Sequence, residues 1–218
     1  MSVNQATGQP DTMPFVSKQF ISTTKERQAN KGGGNDLYLN PSSVPDGESV
    51  RFSAVGEASL AFLEVWGRSS DGKSKPIRFA EEPTAKELAD RAADEGVALI
   101  DKSGSPSKLK QALAFWVWNY STNSIQLFQA TQASILETLA SLFSDEDVAD
   151  NPGAWDLELQ RFGQGLETRY TLTLKPGKRK GTVAAEVDAA WKECAAKGYN
   201  LESLLVNGDP TKPAAGLF

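Results

Sequence analysis

The stretch from residue 112 to 132, ALAFWVWNYSTNSIQLFQATQ, constrains the fold more than any other part of this chain. It places Phe115, Trp116, Trp118, Tyr120 and Phe128 in two strand-like runs joined by a short polar turn. Strand side chains alternate between faces. Leu113, Phe115 and Val117 therefore fall on one side, and Trp116, Trp118 and Tyr120 on the other. A surface strand buries one apolar row and seldom needs two. Either protein covers both faces, or the second aromatic row is offered to a ligand with flat apolar faces, such as the bases of a single-stranded nucleic acid.

The rest of the chain narrows the chemistry. There is no histidine, and Cys194 is the only cysteine. That excludes a Cys/His zinc site, an internal disulfide and His-assisted serine or cysteine hydrolysis. Cys194 reads as a small packing residue. Gly163 and Gly165 lack the third glycine of a dinucleotide fingerprint, and KGGG at 31–34 is not a phosphate loop. Seven acids between Glu137 and Glu158 fall mostly on a turn, without the spacing of a calcium loop. No catalytic constellation, metal site or cofactor motif emerges. The longest apolar run, Ala112 to Trp118, is too short to cross a bilayer, and the N-terminus lacks the pattern of a secretory signal. The expectation is an intracellular protein with no membrane partner.

The formal charge is −5, yet the charges are segregated. Arg169, Lys175, Lys178, Arg179 and Lys180 occur between residues 168 and 181 without an acid. Local charge governs contact with a polyanion more than the sum does. An outward row of Arg169, Thr171, Thr173 and Lys175 would run into the Lys178–Lys180 loop and track a phosphate backbone. Arg51, Arg68, Lys73, Lys75 and Arg78 could form an opposite wall. Trp66, sharing a strand face with Phe62 and Glu64, is a further aromatic candidate.

Residues 1–36 are polar and Gly-rich and read as a flexible arm. VRFSAV and LAFLEVWGR read as two strands of a hairpin turning at Glu57-Ala58-Ser59. A short PIRFA strand precedes a helix over 84–95, with Thr84 as N-cap and Glu87 at capping-box spacing. After the aromatic strands, Ile135, Leu136, Leu139, Leu142 and Phe143 recur at helical spacing, with Thr131 as N-cap. WDLELQRF and TRYTLTLK form a final hairpin, with Tyr170 inward. A helix with Val183, Val187, Ala190, Trp191 and Cys194 on one face ends at Gly198. Residues 182–206 form a C-terminal helical segment, and residues 207–218 a loose tail. A mainly β, α+β chain with one helix between the third and fourth main strands fits a five-stranded Greek-key barrel, the OB-fold, over residues 37–181. A small α+β sandwich is the alternative.

FWVWNYSTNSIQLFQATQASI followed by WDLELQRFGQGLETRYTLTL resembles the single-stranded DNA-binding proteins of tailed bacteriophages. LYLNPSSVPDGESVRFSAVG looks like the opening strands of the same proteins. The resemblance covers roughly residues 37 to 175. It implies an OB-fold that coats single-stranded DNA, without sequence preference or catalysis, in phage DNA replication, recombination and repair, in the host bacterial cytoplasm. On that pattern Trp116, Trp118 and Tyr120 match the aromatic strand and would stack on bases. Arg161, Arg169 and Tyr170 match the final hairpin, and Arg169 with Lys178, Arg179 and Lys180 would meet phosphates. The resemblance also implies recruitment of replication proteins, such as a polymerase or helicase-primase, through the tail, and possible self-association. Many such proteins carry a strongly acidic tail closed by an aromatic residue. Here Phe218 is present, but Asp209 is the only acid among the last dozen residues. The rival reading from another class is a protein-gripping adaptor or virion component. A metal-dependent nuclease using the acidic region is a distant third.

Overall fold

The computed structural model describes residues 37–101 and 103–213. The expected N-terminal arm lies outside the described residues, as does the Leu217-Phe218 end. Over the described residues the chain is a mixed α+β protein built on one eight-stranded sheet. Its strands are β1 (Tyr38–Leu39), β2 (Ser49–Ser69), β3 (Ser74–Phe79), β4 (Val97–Ala98), β5 (Lys110–Asn119), β6 (Ser124–Ala130), β7 (Trp155–Phe162) and β8 (Arg169–Pro176). The helices are α1 (Ala85–Asp94), α2 (Ala133–Leu142), α3 (Glu146–Ala149) and α4 (Thr182–Ala196). The strand order is β1-β6-β5-β2-β7-β8, with β3 and β4 paired to the C-terminal part of β2. Among the described residues the sheet does not close on itself: β8 pairs with β7 alone, and β1 with β6 alone.

The main departure from the sequence reading is β2. No hairpin turns at Glu57-Ala58-Ser59; the chain runs on as one 21-residue strand. Ala54 faces Val117 and Ser59 faces Phe115, so four residues of β2 bulge opposite Trp116. Gly56 absorbs the bulge at φ +76°, a left-handed conformation that costs glycine little. The bulge shifts the alternation of β2. Arg51 and Ser53 lie on the same face as Phe62, Glu64 and Trp66, so odd positions give way to even ones. A pattern that looks like two strands facing each other is one bent strand serving both halves of the sheet.

Each face of the central sheet carries its own core. On the inner face, Phe52, Phe115, Val117, Phe128, Leu157, Leu159 and Leu172 pack under Ile135 and Leu139 of α2. Phe128 is the hub, 5.0 Å from Phe52 and 5.1 Å from Phe115 between ring centroids. Tyr170 faces this core. Gln132, not Thr131, is the N-cap of α2, and its side chain makes no capping bond. On the outer face, Trp116, Trp118, Leu127 and Phe62 pack beneath Val187 of α4 and Leu201 and Leu204 of the 3-10 turn Leu201–Val206. A third cluster (Val65, Ile77, Ala92 and Val97) supports the excursion between β2 and β5.

Local signals explain the edges. Thr84 and Glu87 exchange hydrogen bonds as a full capping box at the start of α1. Gly198, at φ +83°, follows the end of α4. The tail is not loose where it is described: Asn200 N–H donates to the Pro210 carbonyl at 2.8 Å, and Pro210 is buried.

Candidate nucleic-acid interface

The alternation of β5 divides its side chains as the sequence requires, but the aromatic row does not meet solvent. Trp116 is 3% and Trp118 5% exposed. Tyr199 lies 4.8 Å and Trp191 6.3 Å from Trp116, ring centroid to centroid. The expectation that Trp116 and Trp118 present stacking platforms is corrected here: the chain's own C-terminal segment lies over them. The Trp118 indole N–H is buried without a partner among the described residues. Gly56 is the reason Trp191 fits so closely, since a Cβ there would stand 2.7 Å from its ring.

Tyr120 is only partly buried and has a structural task. Its hydroxyl donates to Asp156 Oδ1 at 2.9 Å. Asp156, fully buried, also accepts from Arg51 Nε at 2.7 Å and from the Lys178 backbone N–H at 3.0 Å, both through Oδ2. Burial, then the Asp156 carboxylate, push the Tyr120 hydroxyl up to about 12. The Lys178 ammonium sits 5.6 Å from the Tyr120 ring centroid, a cation–π contact. One carboxylate thus ties β2, β7, the end of β5 and the basic loop together.

The basic candidates divide into two groups. Arg51 is tied to Asp156 and to the Pro176 carbonyl, and Lys175 pairs with Glu158 at 3.0 Å. Arg179 pairs with Asp188 of α4, and Arg161 holds the Ser42 and Val44 carbonyls at 2.9 and 3.0 Å. Arg78 pairs with Glu64 at 2.8 Å. In the expected opposite wall, Lys73 pairs with Asp71 and Lys75 with Glu95. Phosphate contact by these side chains would have to compete with carboxylates or carbonyls already in place. Arg169, Lys178 and Lys180 are exposed and form no ion pair among the described residues.

Unlike Trp116 and Trp118 on the same face, Trp66 is 46% exposed. Its indole N–H donates to Glu64 Oε1 at 2.7 Å. Glu64 is buried at 3% exposure and also accepts from Arg78 Nε at 2.8 Å and Gln129 Nε2 at 3.0 Å. The Arg78 guanidinium lies over the Phe62 ring and reaches the Leu204 carbonyl and Asn207 Oδ1 of the C-terminal segment at 3.2 and 3.3 Å. Trp66 is thus a flat apolar surface held in one orientation. It borders a groove of about 500 Å³ lined also by Tyr38, Asn40, Gln129, Thr131 and Gln132. Sequence alternation places Trp66 on this face; the groove, assembled from segments far apart in the chain, carries no local signal. Among the described residues no cluster of acids and cysteine could hold a metal ion, and no helix is long and apolar enough to cross a membrane. Compared with family models, with curated proteins and with solved structures, the chain matches none.

Proposed function

We propose that this chain is a non-enzymatic protein that binds single-stranded DNA without an overall sequence preference. It would coat exposed strands in phage DNA replication, recombination and repair. In this reading β6, β5, β2, β7 and β8 are the five strands of an OB-fold whose seam stays open, with α2 as the helix between the third and fourth. The strand order and the position of α2 support that reading. The observation that carries the function is the fixed, half-exposed indole of Trp66 beside an open groove, on the face where Trp116 and Trp118 are covered. A base stacked on such a ring contributes ~1–3 kcal/mol. Of the cations between residues 168 and 181, Arg169, Lys178 and Lys180 have spare capacity for phosphates.

Titration of tryptophan fluorescence with oligo-dT, at low and high salt and against duplex DNA, tests the proposal. Quenching by the single strand alone, weakened by salt and diminished in Trp66→Ala, is the expected result. No response at low salt would overturn it. That outcome would favour the second reading, a protein-interaction adaptor or virion component, which the internal pairing of Arg51, Arg78, Lys175 and Arg179 supports.

A further inference from the structure

The groove beside Trp66 has a defined hydrogen-bonding polarity, because backbone donors fix which end of each amide is which. Asn40 Oδ1 accepts from the Ser42 backbone N–H at 3.0 Å, and Gln132 Oε1 accepts from the Thr131 backbone N–H at 3.1 Å. A backbone N–H can only donate, so the oxygens are assigned and the Asn40 and Gln132 NH₂ groups are left as donors. Gln129 is turned the other way. Its NH₂ donates to the Glu64 carboxylate at 3.0 Å, which leaves Oε1 as an acceptor. Asn40 is exposed, and Gln129 and Gln132 are partly exposed. Glu64, the one carboxylate in the groove, already takes hydrogen bonds from Trp66, Arg78 and Gln129.

The groove therefore offers two amide donors and one amide acceptor around an exposed aromatic plane. Thymine and uracil present two carbonyl acceptors flanking one N–H donor, the complementary set. Cytosine presents an amino donor in place of one carbonyl, and adenine has no carbonyl at all. We propose that this groove is a subsite for one unpaired 2,4-dioxopyrimidine base in a DNA strand. The base stacks on Trp66, and its edge is held by Asn40, Gln129 and Gln132. The proposal rests on the single-stranded DNA reading and adds a local base preference to it. In an open, wet site each such contact is modest. The expected discrimination of thymine over cytosine is about threefold to tenfold in Kd.

Full-length protein titrated with oligo-dT, oligo-dU and oligo-dC of equal length tests it. Comparing thymine with cytosine, rather than with purines, limits differences due to stacking within the free strand. Wild type is expected to bind oligo-dT and oligo-dU about threefold to tenfold more tightly than oligo-dC. Gln132→Ala should bring the three together, and Trp66→Ala should weaken all three by about fivefold or more. Trp66 is exposed, so circular dichroism should find that variant folded. Equal wild-type affinity for dT and dC would overturn the edge assignment. Unchanged binding by Trp66→Ala would overturn the subsite while leaving the DNA-binding reading standing. Absence of binding by wild type would overturn both. Oligo-dU bound no more tightly than oligo-dC, with oligo-dT tighter than both, would assign the gain to the thymine methyl and overturn the shared-edge argument.

Discussion

Replacing Trp116 by alanine separates a core tryptophan from a stacking platform, because the two roles predict opposite losses. At 3% exposure, with Tyr199 and Trp191 against its ring, Trp116 belongs to the class of core aromatics whose truncation costs ~3–5 kcal/mol. With a urea dependence of about 2 kcal/mol per M, the unfolding midpoint should fall by about 1.5–2.5 M. An exposed platform would change stability by no more than ~0.5 kcal/mol and would instead lose ~1–3 kcal/mol of binding. Urea unfolding followed by far-UV circular dichroism gives the first quantity, and oligo-dT titration of the folded fraction gives the second. Should Trp116→Ala fail to fold, Trp116→Leu keeps much of the volume and preserves the comparison. A midpoint lowered by less than about 0.25 M, together with lost DNA binding, would refute the reasoning. It would mean that the segment from Thr182 onward does not rest on this face in solution.

Two further outcomes follow from the Asp156 cluster. Asp156→Ala strands the Arg51 guanidinium, the Tyr120 hydroxyl and the Lys178 N–H; it should cost ~3–5 kcal/mol. Asp156→Asn can keep an oxygen toward Arg51 and let Tyr120 accept from its amide, so it should cost markedly less in the same urea assay. Equal losses would show that charge matters and bond geometry does not. Tyr120 supplies the pH test. Its hydroxyl is raised in the folded state, so its neutral form is favoured there and folding retains the proton longer than the unfolded chain does. The stabilisation is complete below the unfolded value near 10 and disappears as pH rises toward about 12. Across that window wild type should lose more stability than Tyr120→Phe; parallel pH profiles would refute the assignment.

Several local signals in the sequence match the structure, although Thr131 does not cap α2. Thr84 with Glu87, Gly198 after α4 and the alternation of β5, β7 and β8 act over a few residues. Two kinds of feature were hidden. The bulge of β2 looks like a turn because Gly56 interrupts an alternating pattern, and only the pairing with Val117 and Phe115 reveals a continuous strand. The fate of the Trp116 row depends on α4 and the 201–206 turn, far away in the chain; periodicity states that a second face is apolar without naming what lies on it. Ion pairing hides in the same way. Arg51 and Asp156 are separated by 105 positions, so the basic strip seen in one segment is partly neutralised by others. Trp66 remained legible as an outer-face aromatic, whereas its groove did not.

The Trp66 groove joins residues 38–42, 64–78 and 129–132, and Arg78 at its wall is held from Leu204 and Asn207. This architecture gives the site a timetable during synthesis. A growing chain can form the bent strand and its β3 partner before residues 129–132 and 204–207 are made. The bonds that anchor Arg78 wait for nearly the whole described chain, and contacts so distant in sequence form slowly. Newly made copies would therefore acquire a finished groove only once residues 204–207 have been made, and a product lacking those residues would leave Arg78 without these anchors.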